Sequence, residues 1–199
     1  MRKLPKQARS RLLVNQMIDA TALVIAQQGL AAATTARIAE CAGISIGSLY
    51  QYFDCKEDLY KALLTRIVDQ LILLIDKQNM ADQQLTLSQW VTLLLNDVWD
   101  YLAADRGLYL QVIRNWSQLD FMDGMDVLEQ KMLTTLSVYF LHQPTRINSN
   151  IANLPSRLYI LTNSILFTVV RYISKPSPLV SRESLIAEFA HLVEKSLSD

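Results

Sequence analysis

The sequence is poor in the residues that build metal sites, disulfide frameworks and hairpins. Its two cysteines, Cys41 and Cys55, form no CxxC pair in a chain of 199 residues. A disulfide framework is therefore not expected. The two histidines, His142 and His191, are far apart and neither sits in an HExxH arrangement. Metal-ligand spacing is missing, and no metal or other cofactor is expected. Five glycines and five prolines leave long uninterrupted stretches. No sustained apolar–polar alternation bounded by turns marks a strand pair. No charged segment leads an apolar run toward a small-residue cleavage site, so no signal peptide is expected. The most apolar late stretch, Leu158 to Ile173, is broken by Thr162, Asn163, Ser164, Thr168 and Arg171. It is too short and too polar to predict a membrane span. GxSxG and P-loop patterns are absent, and Asp126 and Glu129 share a helical face as many solvated acids do. These absences predict a cytoplasmic protein that is not an enzyme and has no membrane partner.

Apolar residues make up 51% of the chain, enough for a substantial core. The net charge of zero hides an asymmetry. Residues 1–66 carry nine Lys and Arg against five Asp and Glu, net +4, and residues 67–199 carry the opposite excess. Arg2, Lys3, Lys6, Arg9 and Arg11 all precede the first acid, Asp19. A basic head on an acidic body suits contact with a polyanion, though a solvated tail gives the same pattern.

Helical periodicity dominates and predicts an all-α fold of about nine helices. The first runs from about Gln7 to Gln28 and stops at Gly29. Short helices follow at about Thr35–Ala42 and Ile46–Tyr52, then a long one from Lys56 to about Lys77 with a Leu59, Leu63, Ile67, Leu71 stripe. Residues 78–86 read as a linker. Later helices are expected at 88–104, with Ser88 as cap, and at 106–117, 126–141, 156–174 and 181–197. Residues 142–155 form the clearest long loop.

The informative segment is Thr34 to Leu59, TTARIAECAGISIGSLYQYFDCKEDL. Two short helices meet at Ala42-Gly43-Ile44, where Gly43 can supply a positive φ. Ile38, Ala39, Ile44 and Leu49 provide a small shared core. This is a helix-turn-helix pattern, whose second helix enters the major groove. Ser45 is placed to cap that helix, which offers Ser45, Ile46, Gly47, Ser48, Tyr50, Gln51 and Tyr52 outward. Hydroxyls and a bare glycine suit phosphates, and Gln51 can read adenine. Arg37 and Lys56 sit at helix N-termini, where a cation is disfavoured unless an anion shares the site.

The segment resembles the DNA-binding domain of the TetR family over about the first third of the chain. Its strongest pieces are Ile38-Ala39, Ala42-Gly43-Ile44-Ser45, Gly47, Leu49-Tyr50, Tyr52-Phe53 and Lys56-Glu57-Asp58-Leu59. The resemblance implies that Thr34, Thr35, Ser45, Ile46, Gly47, Ser48, Tyr50, Gln51, Tyr52 and Lys56 face DNA, with Arg37 a further candidate. Arg37 stands where the family has an acid, and Cys55 where it has a Ser or Asn cap; Asp54 can take over that capping.

The resemblance further implies a helix-turn-helix domain over 1–55 and a helical ligand-binding and dimerisation domain over 56–199. It implies a repressor that binds a palindromic double-stranded operator as a homodimer and is released by a small hydrophobic or aromatic effector. The last two long helices would pair between subunits, through Leu158, Leu161, Ile165, Val169, Leu185, Phe189 and Leu192. Trp99, Tyr109, Ile113, Trp116, Phe121, Tyr159 and Asn163 are candidate effector contacts. A thiol-based sensor using Cys41 and Cys55 is the alternative.

Overall fold

The computed structural model describes residues 8–77, 85–142 and 153–198, with the side chains at 105, 106, 116, 140–142 and 198 excepted. Every regular element among the described residues is helical. They are α1 (Ala8–Gln28), α2 (Thr35–Cys41), α3 (Ile46–Tyr50), α4 (Lys56–Lys77), α5 (Leu87–Ile113), α6 (Met122–His142), α7 (Leu154–Ser174) and α8 (Arg182–Ser198). Short 3-10 turns follow α1, at Leu30–Ala32, and α5, at Trp116–Gln118.

The chain divides into two compact units. The first comprises Met1–Ile67 and Leu102–Phe121, the second Val68–Tyr101 and Met122–Asp199. The expected boundary at 55/56 marks the end of the helix-turn-helix, but packing assigns more of the chain to the head. Leu59, Leu63 and Ile67 of α4 are buried in the first unit, as are Leu102, Val112, Ile113, Leu119 and Phe121.

In that unit, α1 packs on α2 and α2 on α3. Met17, Ile38, Leu49 and Phe53 are fully buried. Each such side chain contributes about 1.5–3 kcal/mol of transfer free energy. Tyr60 of α4 donates its phenol proton to the Ala33 carbonyl at 2.7 Å, tying α4 to the turn after α1. Burial, reinforced by the Glu57 carboxylate, raises the Tyr60 pKa above its ordinary value.

In the second unit, Trp90, Leu94 and Leu95 of α5 are buried, with Met125, Leu128, Met132, Leu136 and Tyr139 of α6. Helix α6 packs on α7, and α7 on α8. A β-carbon at Gly124 would stand 2.9 Å from Val68 Cγ2, so glycine permits a close approach there. Arg182 begins α8, an N-terminal position that disfavours a cation. Asp100 Oδ1 and Asn96 Oδ1 each accept from its Nη2 at 3.0 Å, and its guanidinium lies 5.4 Å from the Trp99 ring centre. Arg157 closes the other end of α8 by donating to the Ser196 carbonyl at 2.7 Å.

Several boundaries differ from expectation; α3 ends at Tyr50 rather than Tyr52 and α6 begins at Met122 rather than 126. The cap of α5 is Thr86 rather than Ser88. Gln89 N donates to Thr86 Oγ1 at 3.2 Å, and Thr86 N donates to Gln89 Oε1 at 2.9 Å. That reciprocal pair is a capping box with Gln at the third position. The expected break between Ala104 and Arg106 does not end the helix. Instead Gly107 takes φ 76° within a single α5.

Candidate nucleic-acid interface

The turn between α2 and α3 forms as the sequence predicts, with Gly43 at φ 66°. The Ile44 amide donates to the Ala39 carbonyl at 3.0 Å, closing the turn over a residue small enough to let the helices meet. Ile38, Ala39 and Leu49 are buried and Ile44 is half-buried. The second helix is therefore held rigidly against the first, and its outer face is free.

Ser45 caps α3 by accepting from the Ser48 amide at 3.1 Å. Their hydroxyls also meet, Oγ to Oγ at 2.9 Å. Thr34 caps α2 by accepting from the Arg37 amide at 3.3 Å, so half of the capping arrangement survives the substitution of an acid by Arg37. The Arg37 guanidinium turns to Glu40 at 3.0 Å. Asp58 Oδ2 reaches back to accept from the Asp54 amide at 3.1 Å, at the start of α4.

Across the turn, Thr35 Oγ1 and Tyr50 Oη lie 3.1 Å apart. This contact brings the N-terminus of α2 and the C-terminal end of α3 to one patch. Ile46 and Tyr50 are 45% and 41% exposed, large values for such apolar surface. Gly47, Gln51 and Lys56 are exposed beside them. At Gly47 a β-carbon would meet only Ser45 Oγ, at 3.8 Å. Nothing among the described residues calls for glycine there. Exposed hydroxyls, an amide side chain, bare backbone and the Lys56 ammonium together make a surface that can bind phosphates and read base edges.

Tyr52 departs from the expected face. It is 9% exposed and contributes its ring to the domain core. Tyr52 lies in the turn after the end of α3 at Tyr50, so it does not continue that helix's outer face. The basic residues Arg2, Lys3 and Lys6 lie outside the described residues.

The N-terminal segment matches the model of the tetR family of bacterial regulatory proteins over residues 17–63. This segment is therefore of the TetR family of bacterial regulatory proteins. It is 41% identical over 56 residues to the transcriptional repressor KstR2 of Rhodococcus jostii, covering 28% of each chain. It is 28% identical over 134 residues to the fatty acid metabolism regulator protein of Bacillus subtilis, covering 67% of this chain and 64% of that one. The matched stretches thus span less than two thirds of either relative. The fold is shared with the regulator FadR of Bacillus subtilis solved with stearoyl-CoA, at TM-score 0.63 and 20% identity, covering 92% and 97% of the two chains.

The other candidate residues are divided between the two units. Of the effector set, Tyr109, Ile113 and Phe121 belong to the first unit, and Trp99, Tyr159 and Asn163 to the second. Ile113 and Phe121 are buried. Tyr109 is half-buried, and the Trp116 side chain lies outside the described residues. Trp99 packs edge-on against Tyr172 with ring centres 5.5 Å apart, beneath Arg182. Tyr159 is exposed, and the Asn163 amide donates to the Tyr159 carbonyl at 3.0 Å.

The expected subunit-pairing stripe is packed inside one chain. Leu158, Leu161, Ile165, Val169 and Phe189 are all buried, and Leu185 is half-buried. Leu192 alone of that set is exposed. An i, i+3, i+4 apolar stripe satisfies its own core first. The apolar surface left on α7 is the opposite side, with Ile160 61% and Phe167 37% exposed.

No helix among the described residues is long and apolar enough to cross a membrane. Cys41 and Cys55 are free thiols, the first exposed and the second half-buried.

Proposed function

We propose that the chain is a cytoplasmic repressor that binds a palindromic operator as a C2 dimer and is released by a hydrophobic effector carrying a long acyl chain. The observation that carries the DNA reading is the capped α3, with Ile46, Gly47, Tyr50 and Gln51 outward, flanked by Thr35 and Lys56. Gln51 reads a base, Ile46 meets a thymine methyl, and the hydroxyls, the Gly47 backbone and Lys56 hold phosphates.

A dimer follows from the task. Half-sites one helical turn apart, about 34 Å, need two reading heads. The outward side of α7, with Ile160 and Phe167, and Leu192 on α8 supply apolar area for that pairing. The helix-turn-helix over 1–55 reads DNA, and 56–199 binds effector and partner.

The acyl class is favoured by two relatives. One regulates fatty acid metabolism, and the other was solved with stearoyl-CoA. The effector acts by preferring the conformation that does not fit the operator, and α4 transmits the change. No observation favours the thiol sensor.

The test is fluorescence anisotropy with the intergenic DNA upstream of the protein's own gene, against a scrambled duplex at physiological salt. Selective binding with two subunits per site, reversed by an acyl-CoA, is the expected result. Equal weak binding to both duplexes, or tighter operator binding with acyl-CoA, refutes the reading.

A further inference from the structure

Arg66 of α4 is paired in only part of its guanidinium. Its Nη1 donates to Asp19 Oδ1 of α1 at 2.6 Å, and that carboxylate is 65% exposed. Its Nε and Nη2 are buried and find no acceptor among the described residues. Both residues belong to the same compact unit. A buried donor without a partner is costly, more so on a charged group. Nε and Nη2 are also a particular pair. They lie along one edge of the planar guanidinium and present two parallel N–H bonds. That edge grips both oxygens of a carboxylate or phosphate.

We propose that the Nε–Nη2 edge of Arg66 binds the oxyanion head group of the effector, a carboxylate or a phosphate. The acyl tail rests on the effector reading above; the oxyanion site does not. Water reaches neither nitrogen, so an anion arrives only when the packing around them opens. Binding at this edge is thereby coupled to how α1 and α4 pack, in the unit that carries α2 and α3. Asp19 competes for the same cation, so an arriving anion also weakens the α1–α4 ion pair.

The experiment is calorimetric titration of the full-length protein with dodecanol, dodecanoate and dodecanoyl-CoA, in the parent, Arg66→Lys and Asp19→Asn. Lysine keeps the charge and loses the two-pronged edge. Arg66→Lys weakens the anionic ligand by about ten- to a hundredfold, the loss of a charge-assisted hydrogen bond, and leaves dodecanol unchanged. Loss with dodecanoate identifies a carboxylate head, and loss with dodecanoyl-CoA alone identifies phosphate. Asp19→Asn tightens the same ligand, which a merely structural Arg66 would not produce. Equal affinities in parent and Arg66→Lys for every anionic ligand overturn the site and leave the acyl reading standing. If none of the three amphiphiles binds the parent, the acyl reading fails. The thermal midpoint in acetate or inorganic phosphate, against chloride at equal ionic strength, then decides the site. A rise in the parent that Arg66→Lys abolishes upholds the site, and equal midpoint shifts in both proteins overturn it.

Discussion

Replacing Gly47 by alanine separates folding from DNA recognition at a single atom. Gly47 lies in the first turn of α3, and among the described residues a β-carbon there would meet only Ser45 Oγ, at 3.8 Å. That is ordinary contact and costs nothing. Alanine also loses less conformational freedom on folding, so Gly47→Ala stabilises the head by about 0.5–1 kcal/mol. The cost appears only on DNA. If the backbone at Gly47 approaches a phosphate or a base edge, the new methyl must displace it. Overpacking of that kind costs about 1–3 kcal/mol, or roughly five- to a hundredfold in Kd. Urea denaturation followed by circular dichroism reads the first effect, and fluorescence anisotropy on the operator reads the second. The expected variant is more stable and binds more weakly. Operator affinity equal to the parent's would refute the docking, since α3 could not then lie with Gly47 against the duplex. A loss of stability would refute the packing argument instead.

Lys56→Ala should weaken binding to all duplexes and reduce the log Kd against log salt slope by about one unit, as for one lost phosphate contact. Gln51→Ala should instead flatten the preference for operator over base-substituted duplexes. Thr162 is 1% exposed, and its hydroxyl finds no partner among the described residues. Thr162→Val should therefore raise stability by about 1–3 kcal/mol, whereas Thr21→Val, whose hydroxyl donates to the Met17 carbonyl at 2.7 Å, should lower it by about 0.5–1.5 kcal/mol. If denaturation midpoints moved the same way in both, the hydroxyl argument would be wrong. The neutral phenol of Tyr60 stabilises the fold fully below its ordinary pKa of 10.0, and that contribution is lost as pH rises toward the elevated folded value. Tyr60→Phe should lower stability at pH 7 by about 1 kcal/mol and flatten this alkaline decline, as read by denaturation between pH 8 and 11.

What the sequence made legible was local. Ala42-Gly43-Ile44 could be read as a turn because a positive φ and a small neighbour at Ala39 are demands of a few adjacent residues. The cap Ser45 was legible for the same reason, and the Ser48 amide indeed donates to Ser45 Oγ at 3.1 Å. Thr86 could have been found as well. The Thr86-x-x-Gln89 spacing was present in the chain, and the choice of Ser88 overlooked it. Tyr52 was expected outward with the polar and aromatic run around it, but α3 ends at Tyr50 and the Tyr52 ring is buried in the turn that follows.

The body was harder because its questions are about which side of a helix meets what. Helix α7 carries two apolar faces, Leu158–Leu161–Ile165–Val169 and Ile160–Phe167. Periodicity picks out the longer, which was expected as a partner surface. Burial assigns that longer stripe to the chain's own core and leaves the shorter outside. Aromatic residues pose the same question. Counting rings between Trp90 and Tyr159 could not show that Trp99 sits under Arg182, or that Tyr159 is exposed. Arg66 went unremarked because nothing in its sequence neighbourhood marks it: it sits in an ordinary amphipathic helix, paired with an acid 47 positions earlier. Its interest arises only from where its unpaired nitrogens come to rest. A functional residue of that kind is created by packing, so sequence reading finds it only after the structure has said which polar atoms are buried and alone.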